Sequence, residues 1–371
     1  MTEVTEMKPT IKMKSSFCAF IAAMIIGVGL NSATCRAQGF GGGEMPKGAE
    51  KIIAIFTELL QHRFTPTIKS ASVGSATVGK PISVSVRAAH EDERSEDKVA
   101  AVEVYYSTDG GKWFQGPVAL KQSEKDAELW SGSIPAIAKS GKVIFYPRVI
   151  DTYGNVTVEI PCKVSSEDFP PAADGCMAFA AADAAPYDDP PGLVDDNYDI
   201  WGIRVGMDDS KFHININVEG SIYKGNLQQQ MISAYTALVI DTQKLYEIED
   251  IMSFVMPSGE KEPKAPDFAH MLIYAPMAKI MGGNFSDCGV FRMKDKSPMI
   301  DAANMKCDSS GPDLFMSLDK KILKGNMRNS FTMVGGMTGY MSAGGSSPMP
   351  IFQDFARATR VSFKERSFNV N

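Results

Sequence analysis

The residues best suited to chemistry in this chain are acidic ones. Between Asp183 and Asp209 eight aspartates face a single base, Arg204. Hard oxygen donors gathered in a loop suit Ca²⁺, which takes six to eight oxygen ligands. Asp195, Asn197 and Asp199 reproduce the Asp-x-Asn-x-Asp opening of an EF-hand loop, and Asp188 lies just upstream. The rest of that motif is missing: Ile200 stands where the loop needs glycine, and Gly206 where it needs the bidentate glutamate. Asp188, Asp195, Asn197 and Asp199 are therefore the candidate calcium ligands, set against a solvated loop whose aspartates only form turns.

Other chemistries find less to work with. Gly74-Ser-Ala-Thr-Val-Gly79-Lys80 has Walker A spacing, but Pro81 replaces the hydroxyl residue that would hold Mg²⁺, and a strand follows rather than a helix. His90-Glu91 opens like a zincin helix and lacks the second histidine. The four histidines, His62, His90, His213 and His270, are scattered, and no Gly-x-Ser-x-Gly is present. Acyl transfer and zinc hydrolysis have no motif to stand on. Carboxylate-only glycosidases leave no linear motif, since their two acids are set by a separation of roughly 5 to 10 Å in space. The expectation is a protein that is not an enzyme.

The elements that must position these residues are strands. From Asp195 to Gly220 the chain reads as a hairpin: Trp201, Ile203 and Val205 alternate with polar or small residues, Asp208-Asp209-Ser210 supplies turn chemistry, and Phe212, Ile214, Ile216 and Val218 alternate with His213, Asn215 and Asn217. One face is apolar and the other wet, so Trp201 is expected in the core and His213 on the wet side. Earlier, Ile82 to Val86, Val102 to Tyr106 and Val143 to Ile150 are strand runs, with Asp109-Gly110-Gly111 and Asp151-Thr-Tyr-Gly-Asn155 as turns. Turn signals at short, regular intervals mark a small sandwich at 67–164. A Pro/Ala/Asp-rich linker occupies 165–192, and a second domain with long Gly- and Met-rich loops fills 193–371.

Val78-Gly-Lys-Pro-Ile-Ser-Val-Ser-Val, Val104-Tyr-Tyr-Ser-Thr-Asp-Gly-Gly-Lys-Trp and Phe145-Tyr-Pro-Arg-Val-Ile-Asp-Thr-Tyr-Gly-Asn make the first domain resemble bacterial immunoglobulin-like or fibronectin-type modules. That resemblance implies a spacer or interaction module. Asp195-Asp-Asn-x-Asp-Ile, Phe212-His-Ile-Asn-Ile-Asn-Val-Glu-Gly, Tyr235-Thr-Ala-Leu-Val-Ile-Asp and Leu272-Ile-Tyr-Ala-Pro make the second resemble the DOMON-like and family-9 carbohydrate-binding-module superfamily. It implies a β-sandwich that binds sugars or haem, or serves as an accessory module. For haem, His213 or His270 would pair with one of the 14 of 22 methionines that fall between Ile251 and Pro350, although loops or core filling explain those methionines as well. For sugar, an exposed aromatic platform is needed. The inward row of Trp201 argues against it, and Tyr187, Tyr198, Tyr223 and Tyr340 are not aligned by any pattern.

Lys8, Lys12 and Lys14 precede an apolar run from Phe17 to Leu30, and small residues surround Ala37: residues 1–37 read as a signal peptide cleaved after Ala37, with lipid anchoring at Cys35 as the variant. Residues 38–66 hold a Gly-rich lead-in and an amphipathic helix with Ile52, Ile53, Phe56, Leu59 and Leu60 on one stripe. Removing the leader takes four of 38 basic and two of 44 acidic residues, leaving a net charge of -8. Such a surface repels phosphate backbones, so nucleic acid is not an expected partner. No later run is long enough to span a membrane. The remaining Cys162, Cys176, Cys288 and Cys307 suit an oxidising compartment, and proximity suggests Cys162 with Cys176 and Cys288 with Cys307, although three pairings are open. Asn155-Val-Thr and Asn284-Phe-Ser are formal glycosylation sequons. The chain reads as all-β, two sandwiches, secreted, periplasmic or at the cell surface. Its expected role is that of a non-enzymatic binding or structural module, with polysaccharide or envelope proteins as partners.

Overall fold

A computed structural model of the chain describes residues 58, 62, 64–91, 97–164, 176–182, 195–223, 231–241, 269–276, 287–294, 297–323, 325–342 and 349–371. The leader with Cys35, most of the amphipathic helix and of the linker, Asp188, Tyr187 and Asn284 lie outside the described residues. The Phe17–Leu30 run falls there too, and among the described residues no helix is long and apolar enough to cross a membrane.

The fold is all-β. Strands are numbered in chain order. One four-stranded sheet runs β1 (Thr67–Val73), β2 (Ile82–Ala89), β6 (Leu129–Ile134), β5 (Lys121–Gln122). In β2, Ile82, Val84, Val86 and Ala88 are buried while the residues between them stay open, the alternation of a strand with one face on a core. They pack on Val102, Val104 and Tyr106 of β3 (Val99–Ser107) and on Val143, Phe145 and Val149 of β7 (Gly141–Asp151). Each such side chain, fully buried, contributes about 1.5 to 3 kcal/mol.

β3 and β7 belong to a second, much longer sheet. Its order is β4 (Gln115–Ala119) at one edge, then β3, β7, β8 (Val156–Ile160), β20 (Thr359–Phe363), β18 (Ser330–Ser342), β12 (Met231–Ile240), β13 (Ala269–Tyr274), β14 (Cys288–Lys294) and β15 (Ser297–Asp301). β19 (Met349–Phe355) adds to β18 and β21 (Ser367–Val370) to β7. The junction of β8 with β20 is parallel, whereas its neighbours are antiparallel. A parallel neighbour requires a long crossover, and here the whole second sandwich is that crossover.

A five-stranded sheet covers the opposite face: β16 (Met305–Ser310), β17 (Asp313–Asp319), β11 (Lys211–Val218), β10 (Ile200–Met207) and β9 (Met177–Ala182). Phe212, Ile214, Ile216 and Val218 of β11 join Ile203 and Val205 in one core with Tyr235, Leu272 and Phe331, and that core reaches Tyr105, Tyr146 and Val158 on the first-sandwich strands. β7 is therefore buried on both faces, which is why its sequence reads as a continuous apolar run. The bend from β8 to β9 is closed by Cys162–Cys176, and Cys288 of β14 bonds Cys307 of β16, each with Cα atoms 5.9 Å apart. Both bonds tie the long sheet to the five-stranded one, at its two opposite edges.

The Asp151–Asn155 turn holds several chain segments together. Asp151 accepts from the backbone N–H of Tyr153 and Asn155 and from the Asn155 carboxamide, which also donates to the His62 carbonyl at 2.6 Å. Asn155 Oδ1 accepts from the Ala358 N–H, and Tyr153 lies between the His62 ring (3.8 Å) and the Arg357 guanidinium (3.6 Å). Asn155 is fully buried, so the first sequon cannot be modified in the folded protein.

Candidate ligand-binding face

Of the residues singled out in the sequence, His213 lies on the outer face of the five-stranded sheet, Trp201 at the start of β10, Asp195, Asn197 and Asp199 in the loop that enters β10, and His270 on β13 of the long sheet. Cross-strand register sets the residues of that outer face in rows from β9 to β16. The first row is Ala182, Gly202, Asn217, Asp313, Ser310; the second is Phe179, Arg204, Asn215, Phe315, Asp308; the third is Met177, Gly206, His213, Ser317, Lys306.

The third row is sealed. Val164, Met177 and Phe315 form a small apolar cluster against Gly206, whose missing side chain leaves them room: a Cβ there would lie 3.0 Å from both Met177 and Val164. His213 and Ser317 are thus on the polar face, as the alternation required, yet buried rather than wet. The Ser317 hydroxyl and the His213 Nδ1 are 2.5 Å apart, and His213 Nε2 is 2.9 Å from Asp208 Oδ2. Burial pushes the His213 pKa below its ordinary 6.5, with Asp208 opposing. Burial would raise the Asp208 pKa, but His213 together with the Ser210 and Lys211 donors holds it below the ordinary carboxylate value. Lys320 donates to the Asp208 carbonyl and sits 4.9 Å over the Phe212 ring. This Ser–His–Asp chain, its Ser317 and His213 ends buried, braces the turn from β10 to β11. Both ring nitrogens of His213 are engaged in these contacts.

The first row is less covered, with Asn217 and Asp313 half-buried and Ser310 exposed. β10 carries a bulge between Ile200 and Gly202, so that Ile200 pairs with Val218 and Gly202 with Asn217, leaving Trp201 as the extra residue. A one-residue insertion exchanges the faces of what precedes it. Ile200 takes the inward place and Trp201 stands 57 % exposed, opposite to the core position that simple alternation gives it. The bulged start is fixed by Asp354 of β19, whose carboxylate accepts the Ile200 N–H at 2.7 Å. Beside Trp201, the side chains of Asn217 and Asn215 both donate to Asp313 Oδ1 at 3.0 Å. The result is a flat indole, a glycine and a row of oriented polar groups.

Three of the four calcium candidates, Asp195, Asn197 and Asp199, lie in one turn. Asp195 Oδ1 accepts from the Asn197 backbone N–H (3.0 Å) and carboxamide (2.7 Å), and Asn197 Oδ1 accepts from the Ser221 N–H. The Asp199 carbonyl accepts from the Glu219 N–H, docking the loop on the end of β11. Among the described residues no group of three or more His, Cys, Asp or Glu is placed to share a metal ion. Tyr198 and Tyr235 are buried and Tyr223 half-buried, with the Tyr235 hydroxyl accepting the Tyr223 N–H and donating to the Asn197 carbonyl, so these rings support the loop from beneath.

A second group adjoins β9. Phe179, the cross-strand partner of Arg204, donates its N–H to the Tyr146 hydroxyl, and the Arg148 guanidinium lies 4.9 Å over the Phe179 ring and 5.8 Å over Tyr105. Arg148 Nε is 3.1 Å from Glu103. Burial pushes the Tyr105 hydroxyl up to about 12, so it stays protonated. Sequence reasoning passed over Arg148 and used Arg204 only as the lone base of an acidic stretch, because nothing linear marks a contact made through the fold.

No family model matches this chain, and no curated protein does. Among solved structures the chain is similar to the titin domains Z1–Z2 in complex with telethonin (7 % identity, 81 % of this chain and 97 % of that one, TM-score 0.15). It is also similar to the α-L-rhamnosidase of Streptomyces avermitilis complexed with L-rhamnose (12 % identity, 81 % and 26 %, TM-score 0.18) and to a titin I-band fragment, I67–I69 (9 % identity, 81 % and 98 %, TM-score 0.16). At such scores the likeness bears on neither ligand nor activity.

Proposed function

We propose that this chain is an exported, non-enzymatic binding module of the cell envelope or its surroundings, and that the ligand is a carbohydrate held on the outer face of the five-stranded sheet. The observation that carries the reading is Trp201: a large apolar ring 57 % exposed, fixed on a bulge rather than on a loose loop, beside Asn217 and Asp313. A sugar offers an apolar ring face and a polar rim, and a rigid indole flanked by oriented carboxamides and a carboxylate matches both. Preorganisation by the bulge and the Asn–Asp–Asn bonds lowers the ordering cost of binding. The residues that resemble the DOMON-like and family-9 carbohydrate-binding modules, Asp195 to Gly220, are the ones that carry the platform, which supports the same reading. Two disulfides are compatible with an extracellular location.

The test is retention of the purified chain on a panel of insoluble polysaccharides and cell-wall preparations, wild type beside Trp201→Ala. Retention of the wild type and its loss in the variant, with an unchanged melting temperature, is the expected result; an exposed side chain changes stability by only about 0.5 kcal/mol. Because Asp195 and Asn197 already use their side-chain oxygens within the turn, a chelator is expected to leave retention unchanged. Wild type that is retained on nothing leaves a structural or protein-interaction module in its place.

A further inference from the structure

Arg204 stands on the outer face of the sheet three residues from Trp201, half-buried, and among the described residues it has no carboxylate partner. Its cross-strand neighbour Phe179 touches Arg148, whose side chain is nine-tenths buried and whose Nη1 has no hydrogen-bond partner among the described residues. Tyr146, whose hydroxyl takes the Phe179 N–H, feels the charge of both arginines. Among the described residues Glu103 pairs with Arg148, while the nearest acidic neighbour across the strands from Arg204, Asp313, is taken up by Asn215 and Asn217. The Arg204 guanidinium is thus left without an ion-pair partner among the described residues, in a chain whose net charge is -6. Long-range attraction cannot be its purpose, since the molecule as a whole repels polyanions. A short-range, bidentate pairing with an anionic group can.

We propose that Arg204, with Arg148 behind it, is an anion subsite beside the Trp201 platform, and that the carbohydrate is an acidic one whose carboxylate or sulfate group pairs with the Arg204 guanidinium. The inference rests on the glycan reading above and narrows it. From Trp201 to Arg204 the strand advances about 10 Å at roughly 3.3 Å per residue, less what the bulge takes up, so ring and anion of one short saccharide segment reach both.

The experiment is affinity electrophoresis of the purified chain in gels containing sodium polygalacturonate, a sulfated galactan, or a neutral xylan, at fixed moderate ionic strength. Wild type is expected to bind one of the acidic polymers about tenfold to a hundredfold more tightly than the neutral one, the worth of a charge-assisted pair. The polymer that wins tells carboxylate from sulfate. Arg204→Gln is expected to bring acidic and neutral binding within about twofold of each other, at an unchanged melting temperature. Arg204→Lys should keep part of the preference, and Trp201→Ala should weaken both. Equal wild-type binding to acidic and neutral polymers, or a preference that survives Arg204→Gln, overturns the anion subsite and leaves the glycan reading standing. No retardation in any gel overturns both.

Discussion

At the scale of single residues, two histidines set opposite pH dependences into one fold. His213 is buried against Ser317 and Asp208, and its pKa lies below the ordinary 6.5. The unfolded chain then binds the proton more readily than the native one, so the His213 contribution is whole above pH 6.5 and fades as pH falls below it. His90 is the reverse case. The Asp151 carboxylate 3.4 Å from its Nε2, helped by the Phe64 carbonyl, raises its pKa, so its contribution is whole below 6.5 and fades as pH rises through the raised value. Melting curves from about pH 7 down to about pH 5 should show His213→Gln flattening the acid loss of stability and His90→Gln steepening it. Equal shifts at every pH in both variants would mean that neither group titrates differently on folding. Gly220 is a third position with a definite outcome. A Cβ there would lie 2.9 Å from the Asp196 backbone, so Gly220→Ala must shift the 195–199 loop and is expected to cost about 1 to 3 kcal/mol in denaturant melts.

At the scale of elements, the two disulfides hold opposite edges of the five-stranded sheet to the long one. Each closes a short loop, with sequence separations of 14 and 19, for which chain entropy gives about 3 kcal/mol. Cys288→Ser with Cys307→Ser and Cys162→Ser with Cys176→Ser should each lower stability by that order, and the losses should add, because the pairs share no partner. Less than additive loss in thermal melts would mean that one bond holds only because the other does. The alternation of β10 and β11 was legible in the sequence, as were the hairpin turn and both disulfide pairs. Trp201 was not. Its position depends on a bulge fixed by Asp354, which is 154 residues away from Ile200, and no local pattern announces that partner. His213 was placed on the right face but taken as wet, since the cover of Val164, Met177 and Phe315 comes from three separate segments.

At the scale of the whole molecule, the sequence reads as two sandwiches joined by a linker at 165–192, and the sheets tell a more entangled story. β20 pairs with β8 and β21 with β7, so the first sandwich takes its last strands from residues 359–370, beyond the second. Composition marks where a linker lies, but it says nothing of which strands meet after the chain has gone out and returned. Because one sheet serves both cores, Val104→Ala in the first and Ile214→Ala in the second are expected to lower a single calorimetric transition, by about 1 to 3 and about 2 to 5 kcal/mol respectively. Two transitions that respond separately would show that the sheet does not couple them. Glu159 and Arg366 form a buried ion pair across the same seam, with an Nε–Oε2 distance of 2.6 Å and 207 residues between them. The seam also sets an order of events during synthesis. Two early strands, β7 and β8, find their last neighbours only in β21 and β20, so they must wait, edges bare, while the whole second sandwich is made. A chain threaded through a membrane in that direction would arrive with its earliest core still open, in need of either speed or a holding partner until β21 closes it.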